Sequence, residues 1–428
     1  MKTTNQRQYT DLYLHRASST SVRIMRPVVA AATLALVSCA VPPRTSKPET
    51  KAFGYDAGAL GFKQLLLEQE TAALAQPFVG LTTRDGKRTG LFPVRSTNVS
   101  TEPVRLAAMT FLATLAPEQL LRTQYAENAS EWRRWSNIDN GLITRSGVSL
   151  RDMSARQRAA AMQLMRASLS AKGFALTEAI RKTDQTLREM NDDVLRYGED
   201  LYFFTIMGRP SATEPWGWQV DGHHLVINYF VLGDQVVMTP VFLGGEPAVA
   251  RTGKYTGNAV LQEEQAAGLA LMTQLDDVQQ KVATLDARKP ANNIQAQANS
   301  DNLVIDFAGL PVSTFTAAQK QALLKLIGLF VGNMDDGHAR VKMDEVTALL
   351  DETWFAWVGP VTDTAVFYYR IHSPIILIEF DHQNPVGTTS INPKGKPTRD
   401  HIHVIVRTPN GNDYGKDLLA QHLKSHRH

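Results

Sequence analysis

Apolar residues recur at every third or fourth position in several long segments of the chain, which is the spacing of an amphipathic helix. Two of these segments begin with a capping box, Ser154 with Gln157 and Thr316 with Gln319. We expect Gly173 to end the helix that starts after Ser154. The predicted helices cover residues 61–75, 102–125, 155–171, 176–190, 261–285, 317–331 and 345–350.

Shorter apolar segments between turn-forming residues predict strands. They cover residues 201–207, 216–232, 235–243, 354–358, 365–371, 375–380 and 401–407. Because consecutive strands are joined by short connections, antiparallel pairing is expected. Helices precede each set of strands rather than alternating with them, so the pattern predicts an α+β fold and not a doubly wound parallel sheet.

The second half of the sequence repeats the first. Three pairs of segments match: 147–169 with 309–331, 202–208 with 353–359, and 218–230 with 369–381. Residues 236–240 also resemble 405–409. We interpret the pattern as an internal duplication that gives two similar helix-then-antiparallel-strand lobes, 56–260 and 261–428. Chance similarity between amphipathic helices is the alternative.

The N-terminal segment has the features of an export signal. Arg23 and Arg26 precede a short apolar run, and Leu36-Val37-Ser38-Cys39 follows it. These four residues resemble the bacterial lipobox, in which the cysteine is lipidated. We therefore expect a lipoprotein signal peptide over residues 1–39, a tether over 40–55, and a lipid anchor at Cys39 on the periplasmic face of the bacterial cell envelope. A plain signal peptide with a coincidental cysteine is the alternative.

Composition excludes several classes of protein. A hydrophobic fraction of 43% and a charged fraction of 20% are typical of a globular chain. Cys39 is the single cysteine, so neither an intramolecular disulfide nor a thiolate metal site can form. Without residues 1–39 the formal charge is −1, which gives no electrostatic reason to bind nucleic acid. The sequence also lacks the glycine-rich, HExxH and GxSxG motifs of common enzyme classes.

Four histidines are the best candidates for chemistry. His401 and His403 share a face if their strand is extended, whereas His223 and His224 point to opposite faces, so only one of them can join the other pair. Two or three imidazoles with one carboxylate match a Zn²⁺ or non-haem Fe²⁺ site, and Mn or Cu are further candidates. The two pairs occupy non-equivalent positions in the repeats, so a shared site must lie where the lobes meet. Metal-free acid–base or ligand chemistry and purely structural histidines are the alternatives.

Polar and aromatic residues complete the set of candidates. Glu379 and Asp381 share a strand face, and either is a candidate ligand or general base. Arg209 is a candidate substrate clamp, or a partner of Glu214. The remaining candidates are Trp216 and Trp218 as a stacking platform for a ligand, with buried core aromatics as the alternative, and Asp413 as a residue that orients an imidazole.

Long motifs carry a resemblance to a known family. They are PWGWQVDGHHL from Pro215, TPVFLGGEPA from Thr239, WVGP with YYRI and IEFD in the second half, and HIHVIVRTPNGNDYG from His401. From about residue 100 onwards the chain resembles the bacterial and fungal family called domain of unknown function 3500. The resemblance implies no reaction.

Three functional hypotheses follow from these residues. The first is a metal-dependent enzyme acting on a small-molecule substrate, with hydrolysis as the first expected reaction and oxidation as the second. The second is a lipoprotein that binds a small molecule without converting it. The third is a structural envelope protein whose histidines are satisfied in the core.

Overall fold

The computed structural model describes residues 57–425, and side chains from residue 60 onwards. The predicted signal peptide (1–39), Cys39 and the tether (40–55) lie outside the described residues. Within the described part of the chain, no helix combines the length and the apolar character that crossing a membrane requires.

Ten α-helices are present in the described residues. They are α1 Ala57–Ala75, α2 Glu102–Thr114, α3 Pro117–Leu121, α4 Ala155–Ser168, α5 Ala171–Asn191, α6 Gln262–Thr273, α7 Asp277–Ala283, α8 Ala317–Val331, α9 Asp336–Ala348 and α10 Lys416–Ser425. Four of them, α2, α4, α6 and α8, begin within one residue of a predicted start.

Thirteen strands form one sheet in the described residues. They are β1 Gln124–Tyr125, β2 Val148–Ser149, β3 Tyr202–Met207, β4 Trp216–Gly222, β5 Leu225–Leu232, β6 Gln235–Val237, β7 Val241–Gly245, β8 Thr284–Asp286, β9 Leu310–Pro311, β10 Trp354–Val358, β11 Tyr368–His372, β12 Leu377–His382 and β13 Ile402–Arg407. The main order is β1-β3-β4-β5-β7-β13-β12-β11-β10-β8. All pairs are antiparallel except β1 with β3 and β8 with β10. The predicted α+β class is confirmed.

The sheet is buried on both faces. On one face Trp218 donates a hydrogen bond from Nε1 to Ser168 Oγ at the end of α4, and the Tyr369 hydroxyl donates to the Glu264 carbonyl in α6. On the other face, Glu379 accepts hydrogen bonds from the backbone N–H groups of Gln295 and Ala296. A segment without regular structure therefore covers the side of the sheet that the helices leave open.

The capping boxes at Ser154 and Thr316 are confirmed, because each hydroxyl accepts a hydrogen bond from the backbone N–H three residues later, at 3.3 Å. The predicted helix end at Gly173 is wrong. Ser170 caps a new helix, α5, and its Oγ accepts a hydrogen bond from the Gly173 N–H at 3.0 Å. A glycine is needed there because a β-carbon at Gly173 would lie 2.2 Å from the Asn333 carbonyl oxygen.

The two halves of the fold mirror each other, both in the helices and in the sheet. Gln157 donates to the Thr114 carbonyl and to Gln119, and Gln319 donates in the same way to Gln274 and Gln279. Strands β3, β4, β5 and β7 occupy the same order as β10, β11, β12 and β13, and β7 pairs with β13 in the middle. The predicted match of 236–240 with 405–409 is wrong, because β6 is a side strand on β5 and the counterpart of β13 is β7. The correspondence is what an internal duplication predicts, and the duplication and the lobe boundaries stay predictions.

Candidate metal centre

His223 and His224 form the two-residue turn between β4 and β5. His224 adopts a left-handed backbone conformation with φ of 60°. Its carbonyl accepts a hydrogen bond from the Gly244 N–H of β7 at 2.8 Å. The two rings stack with their centroids 3.8 Å apart. The sequence pattern predicts that the two side chains point to opposite faces of a strand, and the turn conformation replaces that arrangement.

His401 immediately precedes β13 and His403 is the second residue of that strand. Because β13 pairs with β7 and β7 pairs with β5, the start of β13 lies next to the β4–β5 turn. Three imidazoles, those of His224, His401 and His403, therefore meet where the two halves of the sheet join, as the repeat pattern predicts.

The three Nε2 atoms face one another. Nε2 of His224 lies 3.2 Å from Nε2 of His401 and 3.2 Å from Nε2 of His403, and the last two atoms are 2.9 Å apart. With metal–nitrogen bonds of about 2.0–2.1 Å, tetrahedral ligands lie about 3.3 Å apart and ligands at right angles about 2.9 Å apart. The observed distances match this range. The group could hold one metal ion, and all three side chains are buried.

Two of the three rings, His224 and His403, carry little positive charge. Burial is the main cause that lowers the pKa values of His224 and His403 well below the usual range of histidine. His401 Nδ1 lies 2.7 Å from the Asn384 carbonyl oxygen, so Nδ1 is the protonated nitrogen of that ring. The lone pair of His401 Nε2 then points at the other two rings, which is the state that a metal ion requires.

His223 lies outside the three-histidine group. Its Nδ1 is 2.6 Å from Oδ1 of Asp184, a buried carboxyl group that also accepts a hydrogen bond from the Gly198 N–H. Burial raises the pKa of Asp184, and the neighbouring His223 opposes that rise. His223 therefore supports the His224 ring from one side, and only one histidine of the pair faces His401 and His403.

Sequence reasoning missed Glu246. This buried residue follows β7, and its carboxylate lies 3.5 Å from His401 Nδ1. It also accepts hydrogen bonds from the backbone N–H groups of Val386, Gly387 and Thr388. Burial raises its pKa, but His401 and these donors outweigh burial, so the pKa of Glu246 is lowered. The sequence did contain one signal for Glu246, because this residue lies in TPVFLGGEPA, one of the motifs that carry the family resemblance.

Glu379 and Asp381 share a sheet face, as predicted, but their oxygens are engaged elsewhere. Glu379 accepts from the Tyr368 hydroxyl at 2.6 Å and from two backbone N–H groups. Asp381 accepts from the N–H groups of Asn293 and Ile294 and forms an ion pair with the buried Lys289 at 2.8 Å. Burial raises the pKa of both carboxyl groups. Neither belongs to the three-histidine group.

Arg209 and the two tryptophans lie away from the histidines. Arg209 is exposed in the β3–β4 connection, which leads to Trp216 at the start of β4. His223 follows the other end of that strand, which is roughly 20 Å long. Trp216 and Trp218 are fully buried, as expected for the core alternative. Glu214, the alternative partner of Arg209, lies 3.3 Å from His422 Nε2.

Asp413 lies beyond the far end of β13 from His403. It accepts hydrogen bonds from the Thr408 N–H at 2.7 Å and from Arg407 at 3.1 Å. The rise over five residue steps of extended chain, from His403 to Thr408, places Asp413 roughly 15 Å from the imidazoles. The prediction that Asp413 orients one of these rings is wrong.

Comparison with known proteins identifies one family. No curated protein and no solved structure gave a match. The family described as "Protein of unknown function (DUF3500)" matches residues 97–416, which include all three histidines of the group and Glu246. Because this match spans about three quarters of the sequence, the chain belongs to the DUF3500 family.

Proposed function

We propose that this protein is a metal-dependent enzyme whose metal is held by His224, His401 and His403. The mutual distances of 2.9–3.2 Å between the three Nε2 atoms carry the proposal. When each ring carries its proton on Nδ1, as the Asn384 carbonyl favours for His401, the three Nε2 lone pairs face one another without a hydrogen between them. A shared cation converts that arrangement into three favourable bonds.

An all-imidazole site favours zinc, iron or copper, with manganese less suited, over calcium or magnesium, which prefer oxygen ligands. Three protein ligands leave a coordination position open, as in catalytic rather than structural zinc sites. When bound, such an ion supplies a Lewis acid that activates water, so hydrolysis of a small molecule is the first expected reaction. Oxidation is the second expected reaction, and iron or copper found in the purified protein would favour oxidation over hydrolysis.

The surrounding residues have supporting roles in this proposal. Glu246 and the Asn384 carbonyl hold His401 with its proton on Nδ1. Asp184 holds His223, whose ring stacks on His224. Such outer partners fix ring orientation and tautomer at metal sites. Glu379 and Asp381 are not assigned as metal ligands, because their oxygens bind backbone N–H groups and Lys289.

The proposal places the enzyme at the bacterial cell envelope. Leu36-Val37-Ser38-Cys39 supports export as a lipoprotein with a lipid anchor at Cys39. Metabolic labelling with a fatty acid tests this part, and we expect label in the wild-type chain and none in Cys39→Ser.

Metal analysis of the full chain, purified without an affinity tag, tests the metal site. We expect about one transition-metal ion per chain, and none in His401→Ala/His403→Ala. His372→Asn is the matched control, because His372 is also a buried strand histidine but lies outside the group. A wild-type chain that takes up no Zn, Fe, Mn or Cu under any loading condition would leave the histidines with a structural role.

A further inference from the structure

The second ring nitrogen of His403, Nδ1, is buried. Among residues 57–425 no group forms a hydrogen bond with it, whereas Nδ1 of His401 is held by the Asn384 carbonyl. An imidazole that binds a metal through Nε2 carries its proton on Nδ1, and that N–H almost always donates to a carboxylate, a carbonyl or a water. His403 therefore needs an acceptor once a metal is bound.

Asp381 is the residue directly opposite His403 in the β12–β13 pair. Directly opposed residues of an antiparallel pair project to the same face, with Cβ atoms about 4.5–5.5 Å apart. Oδ2 of Asp381 accepts from Asn293 N–H at 2.7 Å, whereas Lys289 is the partner of Oδ1 in the part of the chain that the structure describes. Lys289 Nζ lies 2.8 Å from Oδ1 in a buried ion pair, and a carboxylate oxygen has a second lone pair that can accept a further hydrogen bond. The Asp381 carboxylate and the His403 ring therefore lie on the same buried face of the sheet, and Oδ1 keeps the capacity to accept from Nδ1–H.

We propose that Asp381 is a positioning residue for His403. Its Oδ1 accepts a hydrogen bond from His403 Nδ1–H, directly or through one bridging water, when Nε2 is bound to the metal. The bond fixes the tautomer and the orientation of the ring, and Lys289 balances the charge of the carboxylate. This inference rests on the proposed function, because it requires a metal at the three histidines.

Glu379 provides a matched control on the same strand. It is two residues from Asp381, lies on the same face, and is equally buried. Like Asp381, it anchors the covering segment, through the N–H groups of Gln295 and Ala296. The residue opposite Glu379 in β13 is Ile405, which has no polar group in its side chain. Loss of the Glu379 charge should therefore disturb the anchoring but leave the imidazoles in place.

The test compares Zn²⁺ affinity in the full-length wild-type chain, Asp381→Asn and Glu379→Gln, by competition with a chromophoric chelator. We expect Asp381→Asn to bind Zn²⁺ about 10–100-fold more weakly, and Glu379→Gln to change affinity less than about threefold. Asp381→Glu, which keeps the carboxylate, should recover part of the affinity. Equal losses in Asp381→Asn and Glu379→Gln, or no loss in Asp381→Asn, would overturn the inference.

Nuclear magnetic resonance of the Zn²⁺-loaded wild-type chain gives a measurement that does not depend on how well a variant folds. We expect a His403 Nδ1–H proton that is shifted downfield and exchanges slowly with solvent. Rapid exchange of that proton in the wild type would overturn the inference. Failure of the wild type to bind Zn, Fe, Mn or Cu would overturn the proposed function and this inference together, whereas normal wild-type binding with an unaffected Asp381→Asn overturns the inference alone.

Discussion

Gly244 of β7 lies directly against the imidazole of His224. A β-carbon at Gly244 would be 3.0 Å from Cδ2 of that ring and 2.8 Å from the Ile402 carbonyl oxygen. Gly244 is also opposite His403 in the β7–β13 pair. The absence of a side chain at this position is therefore what allows the β4–β5 turn to place His224 beside the start of β13.

Gly244→Ala should displace His224 and weaken metal binding. The added methyl group cannot move away from the Ile402 carbonyl, so either the ring or the strand must shift, at a cost of about 1–3 kcal/mol in unfolding free energy. We expect Zn²⁺ affinity to fall at least about tenfold, because ligand atoms must stay near 2 Å from the ion. Competition with a chelator measures the affinity, and urea unfolding measures the stability.

Gly328→Ala in α8 is the control for this substitution. A β-carbon there meets no atom of the described residues within 4 Å, so the change should stabilise α8 by up to about 1 kcal/mol and leave Zn²⁺ affinity unchanged. Wild-type Zn²⁺ affinity in Gly244→Ala would show that His224 is not a ligand.

Glu246→Gln should weaken metal binding through His401. The amide keeps an oxygen that can accept from Thr388 N–H but removes the negative charge 3.5 Å from His401 Nδ1. We expect Zn²⁺ affinity to fall about 10–100-fold. Hydrogen exchange should also become faster at residues 386–388, whose N–H groups the carboxylate accepts.

Thr388→Ala separates these two effects. It removes the hydroxyl that donates to Glu246 at 2.6 Å but leaves the carboxylate beside His401. Faster exchange at residues 386–388 with Zn²⁺ affinity close to wild type is the expected result. If both variants lose Zn²⁺ affinity equally, the segment around Thr388 and not the charge of Glu246 supports the metal site.

Asp221 should make stability depend on pH between about 4 and 6. Burial raises its pKa to about 6, although Arg145 and the Ser136 N–H lower it. The unfolded value is about 3.9, so this carboxyl group stabilises the fold most below about pH 4, and the contribution is lost as the pH rises through 6. The loss approaches about 3 kcal/mol.

Asp221→Asn removes this titration and keeps an oxygen for the Ser136 N–H. We therefore expect the unfolding free energy of the wild type, relative to the variant, to decrease from pH 4 to pH 7. Urea unfolding at several pH values measures the difference. A difference that does not change with pH would show that Asp221 has an ordinary pKa in the folded state.

Gln157→Ala and Gln319→Ala should destabilise the protein by similar amounts. Each side chain is buried and satisfies a helix-end carbonyl, that of Thr114 or Gln274. Loss of these partly buried hydrogen bonds should cost about 0.5–1.5 kcal/mol of unfolding free energy in each variant. Gln185→Ala is the control, because the Gln185 bond to Glu189 is exposed. A large effect in one half alone would contradict equivalent roles for the two glutamines.

Local chemistry explains which predictions from the sequence are confirmed. A capping box depends on residues three positions apart, and the boxes at Ser154 and Thr316 form as expected. The helical and strand periods likewise depend on neighbouring residues, so most elements are found near their predicted positions. The repeat pattern also predicted that the histidines meet where the two halves join, because it assigned them to non-equivalent strands.

The sequence by itself determined the kinds of elements, their caps, the α+β class and the histidines that are candidates for a shared site. Only the tertiary structure decided that His224 and not His223 faces His401, that Glu246 lies beside that ring, and that Gly173 is inside α5. These outcomes depend on a left-handed turn residue, on the β7–β13 pairing, and on a carbonyl oxygen of Asn333. All three bring together segments that are far apart in sequence, and no periodic pattern of neighbouring residues encodes such contacts.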